Sequence, residues 1–215
     1  MIYLHHLEQS RSNRIVWLLE ALDIDYEIIH YQRDPKTYGA PESLKQIHPL
    51  GKSPVITDGE LVIAESGAII EYLIDVYDPE RRLKPTSGQA LLDYRYWLHF
   101  AEGSLMLLLV MRLVLSKAQE KRLPFFIKPV IRKFVDAMEQ YFIEPRLTPQ
   151  LELINAFLEK HQWFAGEQLS GADIQMMLPL QFAKASADFS LYPYIERYLA
   201  QVKQLESFKK AMEKV

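Results

Sequence analysis

The sequence of 215 residues predicts an α/β domain followed by an all-α domain. Short segments with strand and helix patterns alternate over roughly the first 77 residues, whereas only long segments with helical periodicity follow. Between these two regions, the polar stretch DPERRLKPTSGQ from Asp78 to Gln89 contains two prolines and a glycine, which is typical of a linker. We therefore expect one domain over residues 1–78 and a second over residues 89–215.

The first domain is predicted to begin with a strand, a helix and a second strand. The opening MIYLHHL is rich in strand-forming residues. In RIVWLLEALD the apolar residues recur at helical spacing, at Ile15, Leu18, Leu19 and Leu22. YEIIHYQ from Tyr26 predicts the second strand, and a loop with two prolines and a glycine separates it from a short helix, PESLKQI.

Two more strands and a helix are predicted to complete this domain. PVITD and LVIAE are joined by DGE, in which Asp58-Gly59 is a strong hairpin signal. SGAIIEYLIDVY predicts a helix with Ser66 as its N-cap. The resulting order β-α-β-α-β-β-α is that of a thioredoxin-like domain, an open mixed sheet with helices on both faces.

The second half of the chain predicts helices alone. Ser170, followed three residues later by Asp173, predicts a capping box at one helix start. The most apolar stretch, LMLLLVMRLVL from Leu105 to Leu115, is interrupted by Arg112 and is shorter than the ~20 residues that span a bilayer. We therefore expect this stretch to be a buried helix and the protein to have no membrane partner. The apolar-periodic segments run over residues 90–117, 124–142, 149–161, 172–185 and 193–215.

Composition and charge exclude several classes of function. Hydrophobic residues at 49% and charged residues at 25% are ordinary globular values, which argues against disorder. The net charge of −3 gives no reason to expect nucleic acid or an anionic membrane as a partner. The absence of cysteine excludes disulfides, a cysteine nucleophile and thiolate metal sites. The six histidines show no metal-binding spacing and the N-terminus shows no signal pattern, so we expect no metal and a cytoplasmic protein.

Glu65 and Ser66 form a candidate site for an amino-acid head group. A helix N-terminus offers free N–H groups and partial positive charge, which favour a carboxylate. The Ser66 hydroxyl adds a donor, and the Glu65 carboxylate can bind an ammonium group. A serine that only caps its helix explains Ser66 equally well.

Two other short segments are candidates for binding a ligand. Pro54 begins a strand and is either trans or cis; a cis bond would turn the backbone of Val55 outward at an exposed strand edge, where an extended peptide can pair. A proline that merely begins a strand is the alternative interpretation. In SRSNR, Ser10 or Ser12 either caps the first helix or donates a hydrogen bond to an anion above that helix.

Three segments, SRSNRIVWLLEALDIDYEI, HPLGKSPVITDGELVIAESGAIIEYL and GEQLSGADI, resemble the cytosolic glutathione transferases. The resemblance covers essentially the whole chain and is closest to the serine-type bacterial and fungal branch. It implies the glutathione transferase architecture, a homodimer, and glutathione as a cosubstrate with no bound cofactor. The family's cysteine-bearing branches are excluded because the chain has no cysteine.

The resemblance also implies roles for particular residues. It implies that a cis Pro54 and the backbone of Val55 hold the cysteinyl unit of glutathione. Glu65 and Ser66 would bind the γ-glutamyl head, and Lys52 would lie near the glycyl carboxylate. Ser10 would hydrogen-bond the sulfur, although Ser12 in the same loop leaves the choice of catalytic hydroxyl open. The acceptor pocket would lie between the domains and be lined by Tyr96, His99 and Phe100.

The expected activity follows from the chemistry of the glutathione thiol. A thiol has an ordinary pKa of about 8.5, so a hydroxyl that donates to the thiolate increases the reactive form at neutral pH. The thiolate then attacks an electrophilic small molecule or reduces a peroxide, which are detoxification reactions. The alternatives are a non-catalytic module that binds glutathione or another ligand, and a glutathione-dependent disulfide reductase.

Overall fold

The computed structural model describes residues 1–120 and 124–215. The described residues form a four-stranded sheet with the strands β1 (Ile2–Leu7), β2 (Tyr26–Tyr31), β3 (Val55–Asp58) and β4 (Leu61–Ala64). Their order across the sheet is β2-β1-β3-β4. β1 pairs parallel with β2 and antiparallel with β3, and β3 pairs antiparallel with β4. The predicted mixed sheet and its order of elements are confirmed.

Three helices belong to this half of the chain: α1 (Asn13–Leu22), α2 (Glu42–Ile47) and α3 (Ser66–Tyr77). The apolar face predicted for α1 is buried, and α1 ends where Asp23 adopts a left-handed backbone with φ of 56°. α1 and α3 contact each other and the strands, so they cover the same face of the sheet. This packing brings the N-termini of both helices to one end of the sheet, where the site lies.

The rest of the described chain is helical, as predicted. A continuous helix of 33 residues, Gly88–Glu120, contains α4 (Gly88–Phe100), a π-helical turn (Ala101–Met106) and α5 (Leu107–Glu120). The gap expected between the segments 124–142 and 149–161 does not occur, because helix continues through a second π-helical turn and accommodates Pro149 in its interior. The remaining helices are α6 (Lys128–Met138), α7 (Glu144–Lys160), α8 (Gly171–Lys184), α9 (Pro193–Val202) and α10 (Glu206–Glu213). The boundaries at residues 78 and 89 stay predictions, and residues 121–123 of the predicted segments lie outside the described residues.

The predicted capping box at the start of α8 is confirmed. The Asp173 carboxylate accepts hydrogen bonds from the Ser170 N–H at 2.9 Å, the Ser170 hydroxyl at 2.7 Å and the Phe164 N–H at 2.9 Å. Complete burial raises the pKa of Asp173 to about 6, against the opposing effect of these donors. α8 is thereby anchored at the point where it meets α3 and α4.

The prediction that Leu105 to Leu115 is a buried helix is only half right. Leu105, Met106, Leu108 and Leu109 are buried, but Leu107, Val110, Leu113 and Val114 are exposed. The stretch lies inside the helix Gly88–Glu120, which is long and apolar enough to cross a membrane by length and composition, with a mean hydropathy of 1.7 over its most apolar window. Core helices of globular proteins share this property, and one side of this helix does pack in the core.

Candidate active site

A cavity of about 260 Å³ opens at the beginning of β3 and α3. Four residues singled out in the sequence line it: Lys52, Pro54, Glu65 and Ser66. The structure adds neighbours that the sequence analysis did not single out, namely Arg11, His48, Ser53 and Glu102. The cavity therefore has cationic, anionic and hydroxyl groups around one opening.

The backbone at Glu65 is held in a conformation that L-residues rarely adopt, with φ of 73° and ψ of 123°. Such a conformation costs on the order of 1–3 kcal/mol and persists where the surrounding structure enforces it, often at ligand sites. The Glu65 side chain is exposed and lines the cavity. The strained turn thus places a carboxylate beside the N–H groups that begin α3.

Ser66 is buried beside Glu65 and is held by two donors from different parts of the chain. Its hydroxyl oxygen accepts hydrogen bonds from Arg14 Nη1 at 3.2 Å and from Gln175 Nε2 of α8 at 3.0 Å. Since a hydroxyl carries one proton of its own, and neither bond uses it, that proton remains available to a group in the cavity. Ser66 is thereby prepared to donate to an anion.

Arg14 is almost fully buried, and Glu102 is its counter-charge. Arg14 Nη1 lies 2.6 Å from Glu102 Oε1, and Arg11 Nε lies 3.0 Å from both oxygens of the same carboxylate. Burial lowers the pKa of Arg14 to about 10, although the nearby Glu102 acts to raise it. Burial acts to raise the pKa of Glu102, but the two arginines outweigh it and the pKa lies below its usual value. This ion pair joins α1 to the long helix.

The Ser53–Pro54 peptide bond is cis, as the resemblance implied. The expected exposed edge at Val55 is wrong, because β3 is an inner strand and Val55 pairs with both His5 of β1 and Ala64 of β4. Val55 is fully buried and does not line the cavity, whereas Ser53, on the other side of the proline, does. Of the two residues that flank the proline, Ser53 is thus the one on the cavity wall.

The structure separates the two candidate serines. Ser10 is half-buried and lines a second cavity, whereas Ser12 is fully buried. Ser12 occupies the N-cap position of α1, but the alternative that its side chain caps the helix is wrong, because its hydroxyl makes no capping bond and instead lies 2.8 Å from His6 Nδ1. The Ser10 and Ser12 hydroxyl oxygens are 2.7 Å apart. Of these two serines, only Ser10 reaches a cavity.

The second cavity, of about 510 Å³, lies between α1, the long helix and α8. Its polar side is formed by Gln9, Ser10, Arg11 and Asn13, and its apolar walls are Met106, Val110, Leu113, Leu178 and Phe182. Arg11 also lines the first cavity, so the two are adjacent.

The residues predicted for an acceptor pocket do not line this second cavity. Phe100 is buried against Trp97, with ring centroids 5.2 Å apart, while Tyr96 and His99 are exposed. The helix rises 1.5 Å per residue, so Val110 lies about 15 Å beyond Phe100, at the level of Ser10. The i, i+4, i+7 spacing of Met106, Val110 and Leu113 was the signal that indicated the right face.

Comparison with known proteins agrees with this geometry. The family model of the glutathione S-transferase N-terminal domain matches residues 1–75. The chain is 36% identical to glutathione S-transferase 3 of Schizosaccharomyces pombe, over the whole chain and 88% of that relative. It is 34% identical to glutathione S-transferase 1 of Saccharomyces cerevisiae, over the whole chain and 95% of that relative. The chain belongs to the glutathione S-transferase family.

A solved structure extends the match to three dimensions. The crystal structure of a glutathione S-transferase from Actinobacillus pleuropneumoniae is 39% identical in sequence and superposes with a TM-score of 0.79. The match covers 100% of this chain and 92% of that chain. Both halves of this glutathione S-transferase family member therefore have the family fold.

Glu102 should contribute strongly to the stability of this family member. We predict that Glu102→Gln lowers the free energy of unfolding by about 3 kcal/mol, because it leaves the buried Arg14 cation without a counter-charge. The control is Glu71→Gln, which removes a partly exposed pair with Lys84 at 3.6 Å and should cost less than about 1 kcal/mol. Denaturant unfolding of both variants measures the difference, and equal losses would contradict a special role for the buried pair.

Proposed function

We propose that the protein is a glutathione transferase that ionises the glutathione thiol and directs the thiolate at an apolar electrophile or a peroxide. The observation that carries the proposal is the adjacency of the two cavities. One is lined by charged and hydroxyl groups, the other has mostly apolar walls, and Arg11 borders both. A polar tripeptide and an apolar acceptor can therefore be bound side by side, with Ser10 near their junction.

The groups around the first cavity complement the two ends of glutathione. The Glu65 carboxylate suits the α-ammonium group, while the Ser66 hydroxyl and the N-terminus of α3 suit the α-carboxylate. Lys52 and His48 offer positive or hydrogen-bonding groups for the glycyl carboxylate. The cis Ser53–Pro54 segment lies between these ends, where the cysteinyl unit would pair with the backbone.

The second cavity supports a neutral, largely apolar acceptor. Its walls are aliphatic, thioether and aromatic side chains, and its one charged group, Arg11, is engaged by Glu102. A charged acceptor would lose hydration on entering without gaining a free counter-charge. Detoxification of such compounds in the cytoplasm, where thiols are kept reduced, is part of the same proposal.

Ser10 is proposed as the hydroxyl that activates the thiol. We predict that Ser10→Ala lowers the rate with a reactive aryl halide about tenfold or more at neutral pH, since a hydrogen bond to a charged group contributes about 1.5–3 kcal/mol. Activity should recover partly as the pH rises and the thiol ionises unaided. A pH–rate profile measures both effects.

The matched control for Ser10 is Ser190→Ala, at an exposed serine in the helical half. Its pH–rate profile should follow that of the parent. A Ser10→Ala variant with the parent's profile would refute the assignment, and a parent inactive with electrophiles and peroxides that still binds glutathione would identify a non-catalytic binding module.

Glu65 is proposed to bind the ammonium group. We predict that Glu65→Gln weakens glutathione binding about tenfold, because a charge-assisted hydrogen bond contributes about 1.5–3 kcal/mol. Calorimetric titration with glutathione measures the affinity. Glu60→Gln, at the exposed hairpin four strand residues away from the cavity, is the control and should bind as the parent does. Equal affinity in parent and Glu65→Gln would exclude this role.

A homodimer is part of the proposal because two apolar surfaces lack a cover within the described chain. On the edge strand β4, Leu61 and Val62 are 53% and 48% exposed, and on α4 Leu92 and Tyr96 are 57% and 50% exposed. An apolar edge strand invites pairing or coverage by another chain. A second copy would remove these side chains from water.

Light scattering at micromolar concentration should therefore give about twice the 25.1 kDa chain mass. Val62→Asp should shift the protein toward the monomer mass, because a carboxylate at the interface would lose its hydration. Leu191→Asp, at an exposed position in the helical half, should leave the dimer intact. A parent with the mass of one chain would refute the dimer.

A further inference from the structure

A chain of hydrogen bonds leads from the cavity wall to a buried histidine. Ser10 Oγ lies 2.7 Å from Ser12 Oγ, which lies 2.8 Å from His6 Nδ1. Ser12 is fully buried and His6 is nearly so. On the other side, Ser10 Oγ lies 3.3 Å from Ser53 Oγ, a longer contact that competes for the same Ser10 proton. The serine proposed to touch the glutathione sulfur is thus connected to a titratable group that lines neither cavity.

Counting protons along this chain leaves two arrangements. Ser53 donates its own proton to the His5 carbonyl at 2.8 Å, so it can only accept from Ser10. If His6 Nδ1 is unprotonated, Ser12 donates to it, and Ser10 must then donate to Ser12 and point away from the sulfur. If Nδ1 carries a proton, His6 donates to Ser12, Ser12 donates to Ser10, and the Ser10 proton is left for Ser53 or, once glutathione is bound, for the sulfur. The state of His6 therefore sets the direction of the Ser10 hydroxyl.

We propose that His6 accepts the proton of the glutathione thiol through Ser12 and Ser10, and so acts as the general base of the reaction. The inference rests on the proposed function, because it requires glutathione to be bound with its sulfur at Ser10. His6 is a positioning and proton-accepting residue that acts through the two serines, and it does not contact the sulfur.

The proton transfer balances without any other reactant. The S–H bond breaks as its proton passes to Ser10 Oγ, the Ser10 proton passes to Ser12 Oγ, and the Ser12 proton passes to His6 Nδ1. The products are a thiolate and an imidazolium, and each hydroxyl ends with one proton, as it began. Every hydrogen bond in the chain then points toward the sulfur, which stabilises the thiolate.

The surroundings favour the neutral form of His6 before glutathione binds. Burial lowers the pKa of His6, and His30 on the paired strand β2 lowers it further, while Glu8 at the end of β1 acts to raise it. The His6 and His30 rings meet edge to face with centroids 5.3 Å apart. In the neutral tautomer with its proton on Nε2, the imidazole can take up a proton at Nδ1, and the negative charge that forms on the sulfur favours the imidazolium at the other end of the chain.

The test compares thiolate formed with protons released when glutathione is added in weak buffer at neutral pH. Ultraviolet absorbance reports the bound thiolate, and a pH indicator reports protons that enter the solvent. In the parent protein, far fewer protons than thiolates should appear, because His6 retains them. In His6→Asn, whose amide can keep the bond to Ser12 but cannot take a proton, less thiolate should form and each one should release a proton. Ser12→Ala interrupts the chain and should behave in the same way.

The control is His5→Asn, at the neighbouring buried histidine whose side chain instead lies 2.9 Å from the Tyr31 hydroxyl. It should keep the parent's ratio of protons to thiolates, even if its melting temperature falls. A parent that releases as many protons as it forms thiolates would overturn the relay while leaving the proposed function intact, and this measurement needs no variant to fold. A parent that binds no glutathione would overturn the proposed function, and the relay with it.

Discussion

The buried guanidinium of Arg14 is the constraint on which the rest of the site depends. Removing a cation from water costs several kcal/mol, so it must be met by a counter-charge and acceptors from whatever packs around it. Here three groups converge on Arg14 Nη1: the carboxylate of Glu102 on the long helix, the hydroxyl oxygen of Ser66 on α3, and the amide oxygen of Gln175 on α8, 3.3 Å away. Three elements from both halves of the chain are thus fixed relative to α1, and with them the walls of both cavities.

Fixed partners also give directions to the hydroxyl groups around the cavity. Arg14 and Gln175 occupy the acceptor side of Ser66, which turns its own proton toward the cavity. The Ser53 hydroxyl donates its proton to the backbone carbonyl of His5, so toward Ser10 it can act only as an acceptor. A hydroxyl in water rotates freely, whereas the Ser66 and Ser53 hydroxyls have their orientation set by partners within the protein. A site built in this way needs little reorganisation when an anion or a thiolate enters it.

Much of the fold could be predicted from the sequence because its signals are local. Helical spacing in RIVWLLEALD, the Asp58-Gly59 hairpin and the capping box of Ser170 all depend on neighbouring residues, and the structure agrees with them. The head-group residues Glu65 and Ser66 were also within reach, since a helix N-terminus has the same chemistry in any fold. The roles of these residues in binding glutathione stay predictions.

The failures concern relations between distant parts of the chain. That β3 is an inner strand, and that Val55 is therefore paired on both sides, depends on strand order, which the residues around Pro54 do not encode. Ser12 has the position of a cap, but the nitrogen that binds it belongs to His6, on another element. The sequence around Glu102 did not indicate its role, because its partners Arg14 and Arg11 are 88 and 91 residues away along the chain. Long-range electrostatic partners of this kind have no sequence periodicity.

The exposed apolar wall of the second cavity shows why one misprediction was informative. Val110 and Leu113 have the composition of core residues, yet they are exposed because no other part of the described chain packs on them. Leaving apolar surface in water forgoes roughly 25 cal/mol per Å², and an apolar molecule held against these residues recovers it. Binding that depends only on buried apolar area distinguishes poorly between acceptors, since one methylene changes the binding free energy by only about 1–3 kcal/mol. Under the proposed function, the strict selection is made in the first cavity, where charges and directed hydroxyls must be matched, and the second cavity accepts whatever apolar electrophile fits beside the thiolate.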